Sequence, residues 1–292
     1  MSNDIFVSPS SSTLLDLCNL RSSLDDHGNN HDIFFANIRS IRQNFDELLE
    51  IFEKLNHKFT LIILNETWLG PDENHLFKID GYESFVTSRN RHGGGVLIFY
   101  KNQYHASIIE SLSYISPNIE SLFINITLNS QALTIGTIYR PPSRSINEFI
   151  IELENNILNH LPSNNTVILG DFNIDLLCPP TNSTTAFLTE MQSRGLNNLI
   201  SNPTRVQHST SGSISSSTLI DHIWNSSAYV ESSFVLAYSL TDHFPIGCVL
   251  NIPADQDIKV TKGRKIDKEH ITRFQNEFLN FANTKANHSR LH

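Results

Sequence analysis

Cysteine is scarce: Cys18, Cys178 and Cys248 are three in 292 residues, odd in number and widely scattered. That pattern excludes a disulfide framework or a cysteine-based zinc site and fits reduced intracellular thiols. No run of about 18 apolar residues occurs, so no membrane-spanning helix is expected. The first 30 residues lack a basic start followed by a long apolar stretch, so a secretory signal is not expected either, and the Asn-x-Ser/Thr triplets carry little weight. No internal repeat is visible. Positive charge is also short: 21 Lys and Arg stand against 30 Asp and Glu, a net charge of −9. Taken alone, that argues against a nucleic acid partner, whose phosphates need Lys and Arg. The distribution softens the objection. Residues 254–292 hold 8 Lys/Arg against 5 Asp/Glu, so the first 253 residues carry −12. Carboxylates gathered around a cation would contribute to such acidity, so its sign does not exclude a phosphodiester substrate.

What is present is a 39% hydrophobic chain long enough for a sizeable core. The expected organisation is a polar peripheral segment over 1–31, one α/β domain over 32–253 and a polar, basic connector over 254–292. Short β-like runs alternate with amphipathic stretches. "DIFFAN" (32–37), "TLIILNE" (60–66), "GGGVLIFY" (93–100), "TVILGDFN" (166–173), "LIDHIW" (219–224), "FVLAYSL" (234–240) and "FPIGCVLNI" (244–252) read as strands. Residues 121–128 and 132–139 read as a hairpin turning near Asn129 and Ser130, stopped by Pro141 and Pro142. Helices are expected over 40–56, 145–160 and about 184–193, the first two opening on capping boxes, Ser40 with Gln43 and Ser145 with Glu148. A Ser/Thr-rich loop is expected over 208–218. Strands dominate, with helices interspersed and one tight hairpin, so two mixed sheets with outer helices is the expected architecture.

Each apolar run ends on a polar or amphipathic residue: Asn37, Glu66, Tyr139, Asp171 with Asn173, Asp221, and Asp242 with His243. Alternation puts Asp171 and Asn173 on one face of their strand and Phe172 on the other. Strand ends on one sheet edge converge in space. Glu66 and Asn37 offer hard oxygens suited to Mg²⁺, which would polarise a phosphoryl oxygen. Asp171 suits activation or orientation of a water, and Asn173 the holding of a phosphate oxygen or of that nucleophile. Tyr139 suits donation to a non-bridging oxygen. His243 would face the phosphate, its tautomer fixed by Asp221. The set describes metal-assisted phosphodiester hydrolysis. Singly, each residue has a bland reading: a strand-end turn residue for Asn37, a solvated acid for Glu66, a half-buried aromatic for Tyr139. Their joint placement outweighs those readings. Arg89, Arg91, Arg140 and Arg144 are candidate DNA groove contacts, with exposed solubilising arginines as the equal alternative.

"NIRS" (37–40), "NETWL" (65–69), "GGGVLIFY" (93–100), "YRPP" (139–142), "LGDFN" (169–173), "LIDHIW" (219–224) and "TDHFP" (241–245) stand in the order seen in the endonuclease/exonuclease/phosphatase superfamily. The wording resembles most the apurinic-like endonuclease domain of non-LTR retrotransposons. The resemblance covers about residues 32–252. It implies a DNase I-like four-layer sandwich, Asn37 and Glu66 in Mg²⁺ binding with Asp242 beside the metal, and Mn²⁺ as a substitute. It further implies Tyr139 near the scissile phosphate, Asp171 and Asn173 at the nucleophile, and Asp221 paired to His243. Whether His243 or Asp171 takes the water's proton stays open. Thr241 stands where Ser is common, and a further Ser/Thr contact belongs somewhere in 204–218. The implied activity is a DNA endonuclease that nicks one strand inside the nucleus. A host abasic-site endonuclease, a related phosphatase and an inactive DNA-binding remnant are the alternatives. The tail resembles the connector toward a reverse transcriptase, and no polymerase signature follows, so the sequence reads as part of a retrotransposon reading frame or a decayed copy.

Overall fold

The computed structural model describes residues 12–26, 30–209 and 214–254. The chain divides into two compact units, 1–253 and 254–292. The expected connector lies outside the described residues apart from Ala254, and the first unit is described here. Its strands begin with β1 (Thr13–Leu15), β2 (His31–Asn37), β3 (Leu61–Asn65), β4 (Tyr82–Thr87), β5 (Val96–Lys101), β6 (His105–Ile108) and β7 (Glu120–Leu128). They continue with β8 (Gln131–Tyr139), β9 (Thr166–Asp171), β10 (Asn197–Asn198), β11 (Arg205–His208), β12 (Ile214–Thr218), β13 (Asp221–Asn225), β14 (Val230–Leu236) and β15 (Ile246–Leu250). The α-helices are α1 (Leu17–Asp26), α2 (Ile41–Leu55), α3 (Ile146–Asn156) and α4 (Asn182–Ser193).

Seven strands form one sheet in the order β1-β14-β15-β2-β3-β5-β4, six form a second in the order β10-β13-β9-β8-β7-β6, and β11-β12 make a separate ribbon. Both sheets are mixed, with parallel pairs β2/β3 in the first and β8/β9 in the second. Strand alternation builds the layers. Ile33 and Phe35 of β2 and Ile63 of β3 meet Ile124, Ile135 and Leu169 of the other sheet in a central core. Their sequence neighbours Phe34, Ala36, Ile62 and Leu64 point outward onto Leu48 and Ile51 of α2 and Leu20 of α1. On the other flank, Ile168, Phe172 and Trp224 pack against Phe149 and Leu153 of α3 and Phe187 of α4. The result is the expected α/β four-layer sandwich of two mixed sheets between helices.

Strand direction explains why polar residues gather at one edge. In each parallel pair a helix returns the chain, so the carboxyl ends of β2 and β3 lie together, as do those of β8 and β9. β13 runs antiparallel to β9 and β15 antiparallel to β2, so their first residues reach the same edge. Asn37, Glu66, Tyr139, Asp171, Asp221 and His243 are all placed by this rule.

Several local expectations change. Residues 12–26 are less peripheral than their polarity suggests, since β1 pairs in parallel with β14 and Leu20 and Leu24 of α1 are buried. The loop expected over 208–218 is largely ribbon, with Arg205 facing Thr218 and Val206 facing Ser217. Ser145 does cap α3 by accepting from Glu148 N–H, but Ser40 makes no such bond and takes φ 84°. The start of α2 is satisfied by backbone instead: Ser40 N–H donates to Glu66 O at 2.9 Å and Ile41 N–H to Thr67 O at 3.1 Å. The hairpin turn at Asn129 and Ser130 is where it was expected, with both residues at positive φ.

Candidate active site at the shared edge of the two sheets

A row of side chains crosses four strands of the second sheet in direct register: Glu120 faces Tyr139, Tyr139 faces Asp171, and Asp171 faces Asp221. Leu169 points into the central core, so Asp171 two residues on shares that inward face, while Phe172 packs outward among the helices. Asp171, at 1% exposure, accepts from Asn37 Nδ2 at 2.9 Å, and the same amide donates to Glu66 Oε1 at 3.0 Å. One amide nitrogen thus spans two carboxylates from opposite sheets. Trp68 Nε1 donates to the other Glu66 oxygen at 3.2 Å. His243 Nδ1 meets Asp221 Oδ2 at 2.9 Å, with both groups buried. Thr241 Oγ1 donates to Asn37 O at 3.1 Å and accepts from His243 N–H at 3.0 Å, tying the two halves together.

The electrostatics follow from burial of like charges. Burial first, then Asp221, pushes the Asp171 carboxyl up to about 7. Burial opposes a charge on His243, but the Asp221 carboxylate overrides it and raises the imidazole to about 9. Tyr139, 5% exposed, is raised by burial and by Glu66, so its phenol stays protonated. Ligand atoms of Asp171, Asp221 and His243 lie within 4.8 Å of one another, a group able to hold a metal ion. The donor set fits a hard cation: the Glu66 and Asp171 carboxylates converge on one amide from opposite sheets, and a cation there would relieve the charge they bring together.

Backbone strain concentrates here. Arg39, Ser40, Glu66, Trp68 and Asn173 all carry φ between 40° and 84° although none is glycine. Such conformations persist where surrounding contacts hold them, and they cluster at functional sites. Beneath the edge, Asn65 joins the two sheets, donating to Ile138 O at 3.0 Å and accepting from Thr137 Oγ1 at 2.8 Å.

Other expected residues sit differently. Asp242 was expected beside the metal, but both its oxygens are engaged by guanidinium groups, Oδ1 by Arg39 and Oδ2 by Arg205. Asn173 commits its amide nitrogen to Arg140 O at 2.8 Å rather than to the cleft. Arg140 was a candidate groove contact, yet it is buried at 3% exposure. Its Nε donates to Phe172 O and its Nη2 to Asn173 O, each at 2.6 Å, while Nη1 reaches Arg144 O at 2.8 Å. It therefore holds the turn that presents Asp171. Arg89 pairs with buried Glu120 at 2.7 Å, Arg91 pairs with Glu73, and Arg144 is exposed.

Two residues were not assigned a role from the sequence. Thr204, fully buried, accepts from Asp221 N–H at 3.0 Å and Ile220 N–H at 3.2 Å, and so sets the start of β13. It lies within 204–218, the segment where the resemblance implies a further Ser/Thr contact. His222 stacks on Phe172 with ring centroids 4.9 Å apart, and its Nε2 lies 3.0 Å from Ile174 O. Burial pulls its pKa down to about 4, so it serves as a neutral spacer behind the turn. The signal for it was the motif "LIDHIW" itself, whose Asp faces the cleft while its His faces the helices.

No curated protein sequence matches the chain. Solved structures do. The endonuclease domain of TRAS1, a telomere-specific non-LTR retrotransposon, superposes with a TM-score of 0.61 at 13% identity, covering 76% of this chain and 99% of that one. The AP endonuclease LMAP of Leishmania major gives 0.60 at 14% identity over 85% and 93% of the two chains. A mannosyl-6-phosphatase of Bacteroides thetaiotaomicron gives 0.52 at 16% identity over 75% and 99%. Likeness at this level establishes the shared fold and leaves the substrate to be argued from the site. A sequence model of one family spans residues 33–243, from β2 to His243, and by that match the chain belongs to the Endonuclease/Exonuclease/phosphatase family.

Proposed function

We propose that this chain is a Mg²⁺-dependent DNA endonuclease that hydrolyses a phosphodiester bond in one strand, serving as the endonuclease part of a non-LTR retrotransposon protein. The observation that carries the reading is the meeting of Asn37, Glu66 and Asp171 on one amide, with the Asp221–His243 pair alongside. Glu66 and the Asn37 amide oxygen would hold the cation beside Asp171, and when bound it supplies charge to stabilise the phosphoryl oxygens. Asp221 occupies His243 Nδ1, so Nε2 is the atom left to face substrate, and with its pKa raised to about 9 the ring is a cation near neutral pH. A protonated imidazole stabilises charge growing on a phosphate oxygen and is a poor base. Asp171, a buried carboxylate facing Asp221 across the strands, is the group suited to accept the water's proton. Tyr139, neutral at the same edge, is a donor for a second non-bridging oxygen.

The retrotransposon reading is favoured by the wording of "NETWL", "GGGV" and "YRPP", and by the TRAS1 domain among the structural neighbours. Purified protein is expected to nick supercoiled plasmid in Mg²⁺, and Asp171→Ala or His243→Ala to lower the rate by about 10²-fold or more. Equal nicking by the variants would reject the assignment. Cleavage of a duplex with an abasic site, with the intact duplex untouched, would transfer the chain to the repair reading. Hydrolysis of phosphate monoesters alone would make it a phosphatase.

A further inference from the structure

The carboxylate of Asp242 lies between two arginines from different parts of the fold. Arg39 Nη1 meets Oδ1 at 2.6 Å, and Arg205 approaches Oδ2 with Nε at 2.8 Å and Nη2 at 2.7 Å. Two cations on one anion leave a local excess of one positive charge, within a unit whose first 253 residues sum to −12. Both guanidinium groups remain accessible, with 45% of the Arg39 side chain and 32% of the Arg205 side chain exposed. Each is mounted on backbone that also carries the site. Arg39 N–H donates to Asn37 Oδ1 at 3.3 Å, and its neighbour Ser40 donates to Glu66 O. Arg205 bridges to His243, and Val206 N–H donates to Asp242 O.

We propose that Asp242 serves the substrate rather than the metal: it holds Arg39 and Arg205 as a preformed clamp for a nucleic acid phosphate next to the one being cleaved. This rests on the endonuclease reading above. A guanidinium with a free edge binds a phosphate oxygen through charge-assisted hydrogen bonds. Fixing two of them beforehand removes side-chain entropy that binding would otherwise cost. With two guanidinium groups already on its oxygens, Asp242 sits in positive charge that disfavours a further cation there. The clamp and the metal therefore make separable predictions.

The test uses the full chain. Binding of a fluorescently labelled duplex is followed in EDTA across a salt series, and nicking kinetics are measured separately in Mg²⁺. Arg39→Gln and Arg205→Gln are each expected to raise KM about tenfold with little loss of kcat, and to lower the slope of log Kd against log salt by about one. Asp242→Asn is expected to keep the full rise in melting temperature that Mg²⁺ gives the wild type. If wild-type protein binds and nicks while both arginine variants keep its KM and salt slope, the clamp is wrong and the endonuclease reading stands. Loss of the Mg²⁺-dependent rise in Asp242→Asn would restore Asp242 to the metal and overturn the clamp. Wild-type protein that neither binds nor nicks duplex would overturn both.

Discussion

At the scale of single residues, the site is organised by charge held out of water. The His243 imidazole sits at about 9 against an ordinary 6.5, so its stabilising contribution is complete below pH 6.5 and is lost as pH rises through 9. Asp171 sits at about 7 against 3.8, so the folded state resists its ionisation and stability falls as pH climbs from 3.8 toward 7. Both contributions run in the same direction. Metal-free protein is expected to lose stability progressively between pH 5 and 9, and Asp221→Asn to flatten the upper part of that decline. Urea midpoints measured across the range decide it, and stability that stays level or rises would contradict the buried Asp171–Asp221–His243 arrangement. Arg140 carries the residue-scale lesson. As an arginine beside two prolines it looks like a surface contact, and only the carbonyls of Phe172, Asn173 and Arg144 reveal it as the brace of the turn that presents Asp171.

At the scale of elements, the two parallel pairs are what bring chemistry to one edge, and close approach within them is tightly specified. Gly170, just before Asp171, lies where an added Cβ would come 2.0 Å from Ile138 O on the neighbouring strand. That contact is with backbone and cannot be relieved by turning a side chain. Gly170→Ala is expected to destabilise the fold by about 3 kcal/mol and to lower activity by displacing Asp171. Calorimetry with nicking assays would expose the error if the variant melted with the wild type. The glycine in "LGDFN" is thus required by packing of β9 on β8. Element boundaries were harder to read than element existence. The strand expected from Gly93 begins at Val96, and Ser40 looked like a cap because Gln43 follows at the right spacing. Its role went instead to the carbonyls of Glu66 and Thr67, which are remote in sequence and which no local pattern announces.

At the scale of the whole molecule, the site is an agreement between two sheets. Asn37 and Glu66 come from one and Asp171, Tyr139 and Asp221 from the other, with Asn65 fastening them together. Glu66 would hold a cation beside Asp171 where the two sheets meet, so its binding would stabilise the sandwich as a unit. Saturating Mg²⁺ at about 100 times its Kd is expected to add about 2.7 kcal/mol, read as a rise in melting temperature that Glu66→Gln with Asp171→Asn abolishes. An unchanged wild-type melting temperature would count against a metal at this edge.

The sequence by itself determined the layers, the order of the strands' polar ends and the identity of the family, because alternation and terminal polar residues are local features written in the chain. The tertiary structure alone decided which polar residues face the cleft and which brace it. Asp242 turned to two arginines, Asn173 and Arg140 turned to each other, and Thr204 and Asn65 emerged as supports. Each of those outcomes depends on a hydrogen-bond partner tens of residues away, and buried polar groups take whichever partner the packing of two sheets places within reach.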